Sequence, residues 1–283
     1  MFRVAMAALL ACTACRSHGA ELDSTFDVGS LRLHLVCSGE GSPPVVFDSG
    51  LGSDATAWAS VEPAVARFTR TCAYDRAGMG SSKPAPRPHE NVAMAEELRG
   101  LLAAAGVPGP YVLVGHSMGG LNAQLFAKAH PADVAAMVLV DSMTSAQVTR
   151  YWALLPDDKL RELRAGVAKL PENTDFDALL RGLDAAKPSG VTPSAKPLVI
   201  LTRSKEDAFP GASSETAAKM LDGWQKSQDE LSSLSTNHAA RIVADAHHPI
   251  QNDAPDVVVA AIREAWDAAR TGRAVNVGAL PAR

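Results

Sequence analysis

The stretch Tyr111-Val112-Leu113-Val114-Gly115-His116-Ser117-Met118-Gly119-Gly120 decides the fold of this chain. Its first four residues are apolar or favour β structure and predict a short buried strand. The glycines on either side of Ser117 predict a tight turn, and residues 121–129 predict a helix. This order is a nucleophile elbow, which holds a serine in a strained, exposed position. Five residues can match the pattern by chance, but the strand–turn–helix setting favours Ser117 as a nucleophile.

The residues next to this serine have physical reasons for their identity. A side chain at Gly115 or Gly119 would collide with the neighbouring strand or block the helix from packing on the sheet. A helix that begins at the serine aims backbone N–H groups at charge developing above it. We therefore expect an oxyanion hole made by the N–H of Met118 and a second N–H after the predicted strand 45–47. Leu51 in the glycine-rich run Ser49-Gly50-Leu51-Gly52 is the best candidate for the second donor.

Composition limits the classes of function. The chain has 283 residues, of which 47% are hydrophobic and 20% charged, as in a globular protein that can bury a full core. Its net charge of −4 is spread without blocks, so the chain has no basic face for nucleic acid. The sequence leaves the oligomeric state open.

Strands and helices alternate over most of the chain, which predicts a parallel sheet covered by helices on both faces. Residues 21–141 and 197–270 form this core, and residues 142–196 form a helical cap insertion with no convincing strand. Strands are predicted at 24–28, 31–37, 45–47, 71–74, 111–114, 134–140, 198–202 and 239–244. Helices are predicted at 56–68, 91–105, 121–129, 145–155, 158–170, 175–186, 216–234 and 255–269. The insertion should cover the ends of the strands, and residues 271–283 form a polar tail.

The first 20 residues differ from the rest. Arg3 precedes a short apolar run, and Leu9-Leu10-Ala11-Cys12 resembles a lipoprotein cleavage box. We expect a signal peptide or lipoprotein leader and export to a periplasmic, secreted or membrane-anchored location in a bacterium, with a lipid anchor through Cys12 or Cys15 as one form of it. A redox or metal C-x-x-C is the competing interpretation, but no partner pair follows.

A serine nucleophile needs a base, which in this kind of sheet follows the last strand. His116 is next to the serine in sequence, but the turn should point its side chain away. Among the eight histidines only His247 and His248 follow the last predicted strand. Either one fits the chain order of this fold, in which the serine comes first, the acid second and the histidine last.

The base needs an orienting carboxylate, and three residues follow strands at suitable places. Asp141 comes directly after the strand next to the elbow strand. Glu206 and Asp207 follow the next strand, but the segment 198–205 lacks the Gly-x-x-Asp that commonly places the acid there. We prefer Asp141, with Asp207 or Glu206 as the alternative acid.

Four segments together resemble the α/β-hydrolase superfamily over roughly residues 26–269. The resemblance rests on Phe47-Asp48-Ser49-Gly50-Leu51-Gly52, Tyr74-Asp75-Arg76-Ala77-Gly78-Met79-Gly80, Gly115-His116-Ser117-Met118-Gly119-Gly120 and Ala246-His247-His248-Pro249-Ile250-Gln251 with Asp253. In the last segment His248 stands in the place of the family's histidine. The chain departs from the family pattern in two places. Ser49-Gly50 replaces the usual His-Gly at the oxyanion loop, and the carboxylate after the penultimate strand is not at the family's usual sequence position.

The resemblance implies a mostly parallel eight-stranded sheet with a small helical cap. It also implies hydrolysis of a small-molecule carboxylic ester through an acyl-enzyme, without a cofactor or a metal. The same fold serves amidases, thioesterases, carbon–carbon bond hydrolases and perhydrolases, and a non-catalytic binding protein is a further alternative. Haloalkane dehalogenases and epoxide hydrolases resemble the elbow with aspartate in the place of Ser117, which argues against those activities.

A disulfide between Cys37 and Cys72 also follows from the resemblance. In that fold the second strand, which ends at Cys37, lies antiparallel to the strand that begins at Cys72. The two Cβ atoms should then lie within bridging distance. In an oxidising compartment this pair should form a disulfide at the amino ends of the parallel strands, away from the catalytic edge.

Overall fold

The computed structural model describes residues 21–188, 194–206 and 209–275. The predictions made for the leader 1–20, including Cys12 and Cys15, concern residues outside these ranges. The same holds for Asp207 and for most of the polar tail.

An eight-stranded sheet forms the centre of the protein. Its strands are β1 (Leu22–Val28), β2 (Leu31–Ser38), β3 (Val45–Asp48), β4 (Thr71–Asp75), β5 (Tyr111–His116), β6 (Val134–Val140), β7 (Leu198–Arg203) and β8 (His238–Val243). They lie in the order β1-β2-β4-β3-β5-β6-β7-β8. The strand β2 is antiparallel to β1 and to β4, and all other neighbours are parallel. The predicted α/β-hydrolase fold class is confirmed.

The central strands are buried along their whole length because helices cover both faces. Every residue of β3, β5 and β7 is buried. Alternate residues of β5 enter the two hydrophobic cores: Val112 and Val114 lie on one side and Leu113 on the other. This two-sided burial explains why these strands are continuous apolar runs rather than alternating ones.

The described part of the chain contains nine α-helices, which run from one to nearly five turns. They are α1 (Glu62–Val65), α2 (Asn91–Ala104), α3 (Met118–Ala129), α4 (Gln147–Arg150), α5 (Asp157–Val167), α6 (Phe176–Ala185), α7 (Ser214–Gln228), α8 (Ile250–Asp253) and α9 (Pro255–Thr271). The helices α2 and α3 pack together on one face of the sheet, and α1 and α9 pack on the other. None of these helices is both long and apolar enough to cross a membrane.

The helix predicted at 56–68 is wrong in its extent. The structure has a 3-10 turn at Ala55–Trp58 and then the single-turn helix α1. Pro63 stands in the first turn of α1, where the missing N–H costs nothing, but further inside a helix it would break the hydrogen bonding. The apolar positions are still buried, because Trp58, Val61 and Val65 all reach the core.

The cap insertion carries α4, α5 and α6, of which α6 packs against α2 and α3. Its segment between α5 and α6 lies beside the turns that follow the carboxyl ends of β3 and β4. Its contact with the core is close at Gly78, whose φ is +86°. A Cβ atom at that glycine would lie 2.0 Å from the carbonyl oxygen of Pro171 in the cap. The turn after β4 therefore forms part of the surface on which the cap sits.

The structure contains the Cys37–Cys72 disulfide, with a Cα–Cα distance of 4.1 Å and a sequence separation of 35. The two residues are directly opposite each other in the antiparallel pairing of β2 with β4. Cys72 is the second residue of β4, so the disulfide lies at the end of the sheet opposite to Ser117.

Candidate active site

The elbow between β5 and α3 holds Ser117 in a conformation that L-residues rarely adopt, with φ 52° and ψ −117°. Backbone crowding explains the two flanking glycines. A Cβ atom at Gly115 would lie 2.4 Å from the carbonyl oxygen of Gly119. A Cβ atom at Gly119 would lie 2.2 Å from the carbonyl oxygen of Asp48. Close packing therefore forces this turn, which presents the hydroxyl at the carboxyl edge of the sheet.

Three side chains from three segments meet at this edge. The Oγ of Ser117 lies 2.9 Å from Nε2 of His248. The Nδ1 of the same imidazole lies 2.7 Å from Oδ2 of Asp141. The carboxylate is fully buried, whereas about a third of the imidazole is exposed. This arrangement lets the ring accept the serine proton at one nitrogen while the other donates to the carboxylate.

Asp141 follows β6 directly and accepts hydrogen bonds at both oxygens. Its Oδ1 accepts from the backbone N–H of Arg203 at 3.0 Å and from the indole N–H of Trp224 at 2.8 Å. Its Oδ2 accepts from the guanidinium of Arg203 at 2.9 Å as well as from His248. Burial alone raises the pKa of Asp141, but the hydrogen bond from His248 and the charge of Arg203 outweigh it and lower the pKa. The carboxylate is therefore ionised at neutral pH.

The other candidate residues have different partners. Glu206 accepts from Arg203 at 2.8 Å and from the hydroxyl of Tyr151 at 3.0 Å. His247 pairs with Asp253. The backbone nitrogen of His247 lies 2.7 Å from Oδ2 of Asp253, and its ring Nδ1 lies 3.0 Å from the same oxygen. Within the described residues, the structure therefore joins His248 and Asp141 to the serine and directs these two side chains elsewhere.

The prediction that His116 points away from the site is wrong. Its ring centroid lies 4.6 Å from that of His248, and its Nε2 donates to the carbonyl oxygen of His248 at 3.0 Å. Burial and the neighbouring imidazole lower the pKa of His116 to about 3, so the ring is neutral at physiological pH. A neutral ring can hold the backbone of the loop that carries His248 without adding a positive charge beside it. No sequence signal indicates this contact, which joins residues 132 positions apart.

The loop after β3, where the second oxyanion donor is expected, is held from beneath by Arg76. The two terminal nitrogens of this arginine donate to the carbonyl oxygens of Ser49 and Gly50, each at 2.6 Å. One of them also donates to Oδ1 of Asp48 at 2.5 Å. With its carbonyl oxygens fixed by the guanidinium, the loop keeps its backbone beside Ser117. A Cβ atom at Gly50 would lie 3.5 Å from Cβ of the serine.

The cap supplies the second anion for this guanidinium. The Oε1 of Glu172 accepts from Nε of Arg76 at 2.9 Å and from its Nη2 at 2.5 Å. The Oε2 of Glu172 accepts from the backbone N–H of Gly52 at 3.2 Å. Both side chains are buried, with exposures of 1% and 0%. Arg76 belongs to a motif visible in the sequence, whereas no sequence signal distinguished Glu172 from other acidic residues of the insertion.

The sequence profile of the alpha/beta hydrolase fold matches residues 43–249. The chain belongs to this family. A relative similar over most of its length is the uncharacterised protein YqjL of Bacillus subtilis, 26% identical over 255 residues, with 88% of this chain and 94% of that protein covered.

Two further matches have named activities. The 2-hydroxy-6-oxononadienedioate/2-hydroxy-6-oxononatrienedioate hydrolase of Paraburkholderia xenovorans is 35% identical over 121 residues, with 41% of this chain and 42% of that protein covered. A thermophilic esterase from Thermogutta terrifontis, solved with malate bound, superposes with a TM-score of 0.60 at 20% identity. That superposition covers 89% of this chain and 100% of the esterase, and at this identity it shows the fold alone.

Among residues 21–188, 194–206 and 209–275, no group of three or more His, Cys, Asp or Glu side chains is arranged to hold a metal ion.

Proposed function

We propose that the chain is a serine hydrolase that cleaves carboxylic esters through an acyl-enzyme. The observation that carries this proposal is the continuous contact from Ser117 through His248 to Asp141, at 2.9 and 2.7 Å. Membership of a hydrolase fold family agrees with it. The buried, ionised carboxylate supports the tautomer in which Nε2 is free to accept the proton of the serine hydroxyl.

Acylation proceeds in two proton-balanced steps. Oγ of Ser117 attacks the ester carbonyl carbon while its proton passes to Nε2 of His248, giving a tetrahedral oxyanion and an imidazolium held by Asp141. The imidazolium then gives that proton to the leaving alkoxide, the carbon–oxygen bond breaks, and an alcohol departs. Water deacylates the serine by the same route and releases the carboxylic acid.

The oxyanion hole in this proposal consists of the N–H groups of Met118 and Leu51. Met118 is the first residue of α3, where a helix leaves its N–H groups without intrahelical partners. Leu51 lies between Gly50, beside the serine, and Gly52, which donates to Glu172. Donors fixed in this way need no reorganisation as the charge develops, which is where most of the rate acceleration in acyl transfer arises.

A second candidate activity keeps the fold and the nucleophile but changes the bond that is cleaved. The similarity to a hydrolase of 2-hydroxy-6-oxo dicarboxylates favours carbon–carbon bond hydrolysis as this alternative. An ester panel of rising acyl length, run beside a vinylogous 1,5-diketone acid, would separate the two activities.

We further propose that the protein is exported, either freely or with a lipid on Cys12 or Cys15. The buried disulfide supports this, because such bonds persist in oxidising compartments and are rare in the cytosol. Mass spectrometry of the mature protein gives its first residue and any attached lipid, and a mature chain that begins at Met1 contradicts export by a cleaved leader.

Labelling with a fluorophosphonate probe tests the nucleophile. The wild-type protein should be labelled, and Ser117→Ala should abolish the labelling. Ser233→Ala removes the hydroxyl of an exposed serine and is the matched control, which should label as the wild type does. Labelling that persists in Ser117→Ala contradicts the proposal.

A further inference from the structure

A cation lies inside the hydrogen-bonded network of the proposed catalytic triad. The guanidinium of Arg203, at the end of β7, is 97% buried and donates to Oδ2 of Asp141 at 2.9 Å. The same nitrogen lies 3.3 Å from Nδ1 of His248. Because that Nδ1 donates its own proton to Asp141, the Arg203–His248 contact is a close approach of two positive groups whenever the ring is protonated.

Packing holds this guanidinium in place. Its Cζ lies 4.3 Å from the ring centroid of Trp224 and 5.6 Å from that of Tyr151. The indole of Trp224 also donates to Asp141, and its ring lies 5.6 Å from that of His248. The cation is therefore part of a rigid arrangement beside the imidazole and is not free to move into solvent.

A second carboxylate balances the charge on the far side. Glu206 accepts from Nη2 of Arg203 at 2.8 Å, and its side chain is 4% exposed. The hydroxyl of Tyr151 donates to the other oxygen of Glu206 at 3.0 Å. Arg203 thus lies between two buried carboxylates, of which only Asp141 contacts the imidazole among the described residues.

We propose that Arg203 and Glu206 are positioning residues that set the pH below which His248 ceases to act as a base. The positive charge of Arg203 disfavours the imidazolium form of His248, and the negative charge of Glu206 offsets part of that effect. This inference rests on the proposed function, because it requires His248 to be the base for Ser117.

The other ionisable groups near the imidazole are retained in every variant of this pair. Within the described residues these groups are His116 from β5, Asp141 after β6, Tyr151 from the cap and Arg76 beneath the oxyanion loop. His116 stays neutral over the working range. Because Arg203 also lowers the pKa of Asp141, the charge of the pair is assigned by comparing both single variants with the double variant.

The test is the pH dependence of Ser117 inactivation by a fluorophosphonate in wild type, Arg203→Met, Glu206→Gln and the double variant. This rate depends on the base and not on which acyl bond the enzyme cleaves in nature. Removing the cation should move the midpoint of the acid limb up by about one pH unit, the usual effect of a charge within about 4–6 Å. Glu206→Gln should move it down by about half a unit, since the carboxylate is further from the ring.

The double variant separates charge from packing. It removes one charge of each sign, so its midpoint should lie between those of the two single variants, although it loses the most hydrogen bonds. Lys205→Met removes a half-exposed cation that pairs with Asp245 and is the matched control, with no shift expected. Far-UV circular dichroism checks that each variant is folded. If Arg203→Met does not fold, the downward shift in Glu206→Gln still tests the proposal.

Midpoints that stay at the wild-type value in all folded variants, or that move in one direction for both single variants, overturn the inference and leave the pair a purely structural role. A wild-type protein that is not labelled at Ser117 at any pH instead contradicts the proposed function. The two failures are therefore distinguishable.

Discussion

The substitution Glu172→Gln tests the connection between the cap and the oxyanion loop, and its effect follows from the hydrogen bonds of the carboxylate. One oxygen of Glu172 accepts two hydrogen bonds from Arg76, and the other accepts the N–H of Gly52. A glutamine has only one acceptor oxygen, so either the guanidinium or Gly52 must face an NH₂ group, donor against donor. The side chain is fully buried, and water cannot relieve the mismatch.

The stability loss comes from the buried cation. Arg76 keeps Asp48 as a partner but loses its second anion, so the penalty should be smaller than the roughly 3–5 kcal/mol for a buried charge left alone, at about 2–3 kcal/mol. Urea unfolding monitored by circular dichroism measures it. Glu162→Gln is the matched control, because this cap residue pairs with Lys159 on the surface and its loss should cost less than about 0.5 kcal/mol.

The same substitution should slow catalysis, since Gly52 adjoins the proposed donor Leu51. Loss of one oxyanion donor costs roughly 10²–10³-fold in kcat, and a displaced donor should cost about 10- to 100-fold, with KM nearly unchanged. Hydrolysis of p-nitrophenyl acetate well below the unfolding midpoint gives both constants. A Glu172→Gln variant with the wild-type kcat would refute the reasoning that the cap positions the oxyanion loop.

Three further predictions concern single groups. Asp141→Asn should lower kcat by roughly 10⁴-fold in the same assay because the wrong tautomer of the imidazole is favoured, whereas an effect of less than tenfold would remove Asp141 as the acid. Replacing Cys37 and Cys72 together by serine should lower the unfolding free energy by roughly 3–4 kcal/mol, as expected for a 35-residue loop, and an unchanged urea midpoint would contradict this. Burial lowers the pKa of His34, but hydrogen bonds with Asp23 and Asp75 outweigh it and raise the pKa above 6.5. The stability this histidine adds is therefore complete below pH 6.5 and is lost as the pH rises through the raised value, so His34→Gln should destabilise more at pH 5.5 than at pH 9 in urea titrations.

Local patterns were enough to predict the elements that carry the nucleophile and the base. Ser117 lies in a turn flanked by two glycines, of which Gly115 is required by a contact four residues away, and His248 follows the last strand in a recognisable segment. The acid is ambiguous in the sequence because Asp141, Glu206 and Asp207 all follow strands. In the structure Asp141 and Glu206 both bind Arg203, and the contact with His248 is what distinguishes Asp141.

The features that the sequence did not predict depend on long-range contacts. The ion pair between Arg76 and Glu172 joins residues 96 positions apart, and the contact of His116 with the loop of His248 spans 132 positions. Contacts between residues so far apart in the sequence produce no periodic or compositional pattern from which they could be predicted. The helix expected at 56–68 is wrong for a local reason. Its apolar pattern is correct, but Pro63 must lie in the first turn of a helix and α1 is therefore shorter than expected.

The acyl-enzyme mechanism is tested most directly by the intact mass of the enzyme quenched in acid during turnover of p-nitrophenyl acetate. An acyl-enzyme predicts a fraction of the protein heavier by one acetyl group, with the group located on Ser117 by peptide mapping. Turnover of the ester with no acetyl group on Ser117, or with the group on another residue, would contradict it.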